Sequence, residues 1–106
     1  MFHIDDASAG KTVDVPVGEF IELRLRENPT AGFHWLVQLS AKSVCQIKED
    51  RLEPPAQPTP GLGGTHIWRI GTTQTGICDL SLSYGRAWEK NQPPARTFDV
   101  MINVTK

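Results

Sequence analysis

A chain of 106 residues and 11.8 kDa is one domain's length, with room for a single core that hides about two-thirds of the unfolded surface. Apolar residues make up 39% and charged residues 22%, an ordinary globular composition and not that of a disordered chain. Eleven basic against twelve acidic side chains leave a net charge of −1, which removes the electrostatic attraction that nonspecific binding to nucleic acid or an anionic membrane requires.

At the N-terminus, Asp5 and Asp6 stand where a signal peptide would carry basic residues, so the expectation is a cytoplasmic chain or the mature form of a periplasmic or secreted one. Val13, Val15 and Val17 alternate with Asp14 and Pro16, and the proline, lacking an N–H, assigns this stretch to a sheet edge or a strand end. Gly18 then allows a turn. Residues 20–26 read F-I-E-L-R-L-R, with Ile21, Leu23 and Leu25 on one face and Glu22, Arg24 and Arg26 on the other, the two-residue period of a half-buried strand. Residues 33–39 repeat it: Phe33, Trp35, Val37 and Leu39 oppose His34, Leu36 and Gln38. Residues 44–50 form a weaker strand or turn segment. Residues 52–64 hold four prolines and three glycines, too many for a helix or a ladder, and read as a long loop of the kind that is usually functional or mobile. A strand over 65–70 follows, with His66, Trp68 and Ile70 on one face. After a turn at 71–76, residues 77–84 alternate Cys78, Leu80, Leu82 and Tyr84 against Asp79, Ser81 and Ser83. Residues 85–94 are a further loop, and residues 97–104 place Phe98, Val100, Ile102 and Val104 on one side. No segment has a helical period. The fold class that follows is all-β, an immunoglobulin-like antiparallel β-sandwich with about seven strands. Its core is Trp35, Trp68, Tyr84, Leu23, Leu25, Leu80, Leu82, Phe98, Val100 and Ile102.

Catalytic constellations are missing. Cys78 shares a face with Leu80 and Leu82, which suits a buried small hydrophobe or one half of a Cys45–Cys78 bridge better than a reactive thiol. His3, His34 and His66 have no metal-ligand spacing, and no C-x-x-C pair occurs. The adjacent acids Glu49 and Asp50 point to opposite faces of a strand and cannot act together on one atom. The glycines at 61–64 lack the Lys-Ser/Thr ending of a phosphate loop and precede a strand, not a helix. The chain is therefore expected to be no enzyme, with no catalytic residue, metal or cofactor.

Three loops carry residues that a bare connection does not need. In N-P-T-A-G-F, residues 28–33, Asn28 can make an Asx turn, Pro29 fixes its φ, and Gly32 can take positive φ; a plain turn explains this stretch equally well. Gly61-Leu62-Gly63-Gly64 could be only a flexible hairpin end. Arg86-Ala87-Trp88-Glu89 sets a tryptophan among polar and proline residues, where it either folds back over the sandwich or serves as a binding hot spot.

The order Asn-Pro-Thr-x-Gly-aromatic-x-Trp, then Gly-x-Gly-Gly, then Arg-x-Trp resembles the chagasin-type inhibitors of papain-like cysteine peptidases. Here the three are Asn28 to Trp35, Gly61 to Gly64 and Arg86 to Trp88, and the likeness extends over most of the chain. Two positions depart: the family commonly has Thr where Ala31 stands and Pro where Ala87 stands. The resemblance implies one chagasin-like domain over 1–106, in which the three loops gather at one end as a wedge. It implies that Asn28, Pro29, Thr30, Ala31, Gly32 and Phe33 cover the catalytic Cys–His pair of the peptidase, flanked by Gly61, Leu62, Gly63 and Gly64 and by Arg86, Ala87 and Trp88. The implied partners are papain and peptidases of the cathepsin L and B types, bound reversibly and competitively by a monomer. A sandwich of this sort can also be a noninhibitory binding or adhesion module, which the fold alone does not exclude. An oxidoreductase or metal protein using Cys45 and Cys78 is the remaining alternative.

Overall fold

The computed structural model describes residues 2–27, 32–54, 63–86 and 93–106. Within them the strands are β1 (Phe2–Ile4), β2 (Thr12–Pro16), β3 (Phe20–Glu27), β4 (Phe33–Leu39), β5 (Cys45–Glu53), β6 (Gly64–Thr72), β7 (Gly76–Arg86) and β8 (Arg96–Thr105). They form two four-stranded sheets, ordered β1-β3-β6-β5 and β2-β8-β7-β4, which pack as the expected immunoglobulin-like sandwich.

Alternation decides which side chains face inward. Ile21, Leu23 and Leu25 from one sheet and Leu80, Leu82, Phe98, Val100 and Ile102 from the other are all buried, as are Trp35 and Trp68. Each such side chain contributes about 1.5–3 kcal/mol relative to exposure. The outward positions are polar, apart from isolated residues such as Leu36. Tyr84 is half-buried and packs against the core from its margin.

Two features refine the expected topology. The described strands number eight because Phe2–Ile4 adds a short edge strand, too brief for any period to reveal it. The outer pairings of β1 with β3 and of β2 with β8 are parallel, the chain having changed sheets through a 3-10 turn at Asp6–Ser8. There Asp5 Oδ1 accepts the Ala7 N–H at 2.9 Å, capping the turn. β2 lies at a sheet edge, the position that Pro16 demanded.

Strand β5 runs longer than its sequence suggests. A register shift between Ile47 and Glu49 inserts Lys48 as an extra residue, so inward positions change phase in mid-strand. Cys45 and Ile47 precede the bulge on the inner side, while Asp50 and Leu52 follow it, opposite Trp68 and His66. The ladder then continues to Glu53, which pairs with Thr65. The proline- and glycine-rich stretch expected to be a loop from residue 52 to 64 therefore gives up Leu52, Glu53 and Gly64 to strands.

Candidate functional site

Strand register brings three connections to one end of the molecule. In the first sheet, the last residue of β3, Glu27, pairs with the first of β6, Gly64, while β5 ends at Glu53 opposite Thr65. In the second sheet, the first residue of β4, Phe33, pairs with the last of β7, Arg86, and β8 opens at Arg96 opposite Tyr84. The sheets are tied together at this end. The Trp35 N–H donates to Glu27 Oε1 at 3.0 Å and Trp35 Nε1–H donates to the Arg26 carbonyl at 2.9 Å. Chain segments 28–32, 54–63 and 87–95 thus leave and rejoin the framework side by side.

Five of the residues singled out from the sequence are described: Gly32, Phe33, Gly63, Gly64 and Arg86. Asn28, Pro29, Thr30, Ala31, Gly61, Leu62, Ala87, Trp88 and Glu89 lie outside the described residues. Gly32 has φ 83°, a left-handed conformation that side chains disfavour, and it delivers the chain into β4. The Phe33 ring stacks on Tyr84 at 5.2 Å, and Tyr84 meets Trp35 at 4.6 Å. The Arg86 guanidinium caps this column 4.4 Å above the Phe33 ring. Such stacking and cation–π contacts contribute roughly 0.5–1.5 kcal/mol each, so Phe33 and Arg86 brace the mouths of the first and third connections. Gly64 answers to another constraint: a Cβ there would sit 2.5 Å from the Glu53 carbonyl oxygen, so β5 and β6 approach closely only because no side chain intervenes.

The same end holds a polar cluster that the sequence reading left as scattered surface or packing residues. Glu27, with 3% of its side chain exposed, lies 3.0 Å from His66 Nδ1 and 3.6 Å from His34 Nδ1. His66 Nε2 is hydrogen-bonded to Asp50 Oδ1, and the imidazole lies flat on Trp68, with centroids 3.9 Å apart and planes 5° from parallel. A signal for Glu27 was present. The inward series Ile21, Leu23, Leu25 continues to residue 27 at period two, which places a carboxylate on the core side of β3, where a buried charge needs partners.

Cys45 and Cys78 are buried, unbridged thiols. Burial pushes the Cys45 thiol up to about 12, with the neighbouring Cys78 adding to the effect. A thiol held so high is no nucleophile at neutral pH. Among the described residues no three His, Cys, Asp or Glu side chains are grouped to hold a metal ion.

The model of the chagasin family peptidase inhibitor I42 matches residues 14–102. Chagasin of Trypanosoma cruzi is 30% identical over 104 residues, covering 93% of this chain and 94% of its own. Amoebiasin-1 of Entamoeba histolytica is 34% identical over 93 residues, covering 88% and 89%. In architecture, the crystal structure of the cysteine protease inhibitor EhICP2 from Entamoeba histolytica superposes with a TM-score of 0.89 at 19% identity, over 98% of this chain and 95% of that one.

Proposed function

We propose that this chain, which belongs to the chagasin family of peptidase inhibitors and is not an enzyme, is a reversible, tight-binding, competitive inhibitor of papain-like cysteine peptidases. In this reading it acts as one domain over residues 1–106 and presents segments 28–33, 61–64 and 86–89 to the active-site cleft. The observation that carries the reading is the convergence of three connections at one end, fixed by the pairs Glu27 with Gly64 and Phe33 with Arg86 and by the Glu27–Trp35 hydrogen bond across the sheets. A rigid sandwich supplying several loops at one end is a general way to build a binding surface.

Each segment has a chemical part to play. The central one contains Pro29, with its own φ fixed and no N–H to give, followed by Thr30, whose hydroxyl faces the catalytic centre in this reading. Gly61, Leu62, Gly63 and Gly64 bring backbone close to one cleft wall, and Trp88 stacks on an apolar surface of the other. With its guanidinium over Phe33, Arg86 stiffens the third segment before contact. Anchoring the segment ends in strands reduces the ordering cost of association. The expected interface is of protease–inhibitor size, roughly 1,600 Å² in total, with its affinity set by preorganisation and central contacts and not by area.

Titration of papain and a cathepsin L-type peptidase with the purified protein tests this directly. Stoichiometric loss of activity, recovery on dilution and an inhibitor of unchanged mass are the expected results. Full activity of both enzymes at inhibitor excess would leave a sandwich that binds some other partner.

A further inference from the structure

We propose that His66 is a pH-sensitive positioning residue for the inhibitory end, holding β3, β5 and β6 together most firmly when both of its ring nitrogens carry protons; this rests on the inhibitor reading above. His66 Nδ1 lies 3.0 Å from Glu27 Oε1 on β3, and Nε2 is hydrogen-bonded to Asp50 Oδ1 on β5. Both partners are carboxylates. A neutral imidazole has one N–H and so serves only one of them, leaving a lone pair facing the other, whereas an imidazolium donates to both. Because the ring is 14% exposed and stacked on Trp68, it cannot turn away from either carboxylate without losing packing.

Glu27 passes the constraint on. The same oxygen that faces His66 accepts the Trp35 N–H at 3.0 Å, so Asp50, His66, Glu27 and Trp35 form one chain of contacts through β5, β6, β3 and β4. It spans both sheets at the root of the connections 28–32 and 54–63. Other ionisable groups pack against this chain: on the second sheet the Arg96 guanidinium lies 5.8 Å from the Trp35 ring centroid and the Tyr84 ring 4.6 Å from it. His34 approaches Glu27 Oε2 at 3.6 Å with 56% of its side chain exposed. On the opposite face of β5, Arg51 engages Glu49 at 3.6 Å and Glu53 at 3.0 Å. On β3, Arg26 gives its carbonyl to Trp35 while its side-chain position falls on the outer face.

The sign follows from proton count. Imidazoles exchange their second proton between about pH 5 and 8, and the doubly donated arrangement contains that proton. The tie is therefore present while that proton is bound and lost once it leaves.

The test compares inhibition constants of the parent protein, His66→Gln and Asp50→Asn against papain from about pH 5 to 8. Dividing each variant's constant by the parent's at the same pH cancels the enzyme's own titration, and His34 is common to all three. The expected result is a parent that weakens roughly three- to tenfold more than His66→Gln between the acid and alkaline ends. Asp50→Asn, at an exposed edge-strand position, is expected to flatten the profile similarly, which keeps the test open should His66→Gln not fold. In the free protein, the Trp35 amide resonance should shift with the same midpoint as the His66 ring protons. Parent and variant profiles that superimpose while inhibition persists would overturn the proposal alone, as would a Trp35 amide indifferent to the imidazole. A parent that fails to inhibit at any pH overturns the inhibitor reading instead.

Discussion

Glu22 and Glu27 lie on one strand, and their different fates show how much a single position decides. Glu22 points outward, where Arg24 Nε meets its carboxylate at 3.2 Å and His3 Nδ1 at 3.0 Å. The Arg24 hydrogen bond holds the Glu22 carboxyl below the usual carboxylate range, partial burial opposes this, and the charges of Arg24 and His3 add to the lowering. A folded-state value below the unfolded one means a contribution to stability that is present above about pH 4.3 and is lost as pH falls through the lower folded value. Glu22→Gln should therefore flatten the acid limb of a plot of melting temperature against pH, with little change near neutrality; an acid limb identical to the parent's would show that the arrangement contributes nothing. Period two in the sequence placed Glu22 outside and equally placed Glu27 inside, but a carboxylate at the end of a strand is ordinarily solvated. Its partners His66, His34 and Trp35 come from two other strands, and sequence spacing cannot bring them together.

At the scale of elements, the strands with strict alternation were legible and those governed by register were not. β3, β4, β7 and β8 follow their apolar periods, because each pairs without interruption over its length. β5 was legible only as a weaker strand or turn over 44–50, because past its bulge residues 48–53 are all exposed and carry no apolar period, and the last two residues before the prolines read as loop. Gly64 illustrates the same limit: within Gly61-Leu62-Gly63-Gly64 it looked like part of a flexible connection, yet it opens β6 under steric constraint from β5. Gly64→Ala puts a Cβ 2.5 Å from the backbone oxygen of Glu53. The clash is with main chain and cannot be relieved by a rotamer change, so β5 and β6 must separate at this end. The expected cost is about 1–3 kcal/mol, as for other overpacked sites, measured by urea denaturation. A variant with the parent's midpoint would mean that the β5–β6 end opens without penalty.

Across the whole molecule, the end proposed to meet the peptidase lies opposite the end where the two thiols are buried. The three connections emerge where β3, β5 and β7 finish, whereas Cys45 opens β5 and Cys78 lies near the start of β7, one thiol in each sheet and both with 0% exposure. The family resemblance read from three loop motifs implied which end meets the peptidase and said nothing of this other end, because packing between sheets leaves only apolar alternation in a sequence. Reagent reaches these thiols only if the sheets part, and the Cys45 thiol, raised to about 12 by burial, supplies almost no thiolate until then. Alkylation with iodoacetamide near pH 8 should thus modify neither cysteine in the folded protein and both in urea, with a rate that tracks global unfolding. In the proposed reading Trp88→Ala acts at the opposite end. It should weaken inhibition of papain by at least ~2 kcal/mol, as hot-spot truncations do, and leave alkylation of Cys45 and Cys78 as slow as in the parent. Faster alkylation in the variant would make Trp88 part of the sandwich's cohesion and not of its binding surface, and an unchanged inhibition constant would remove it from that surface altogether.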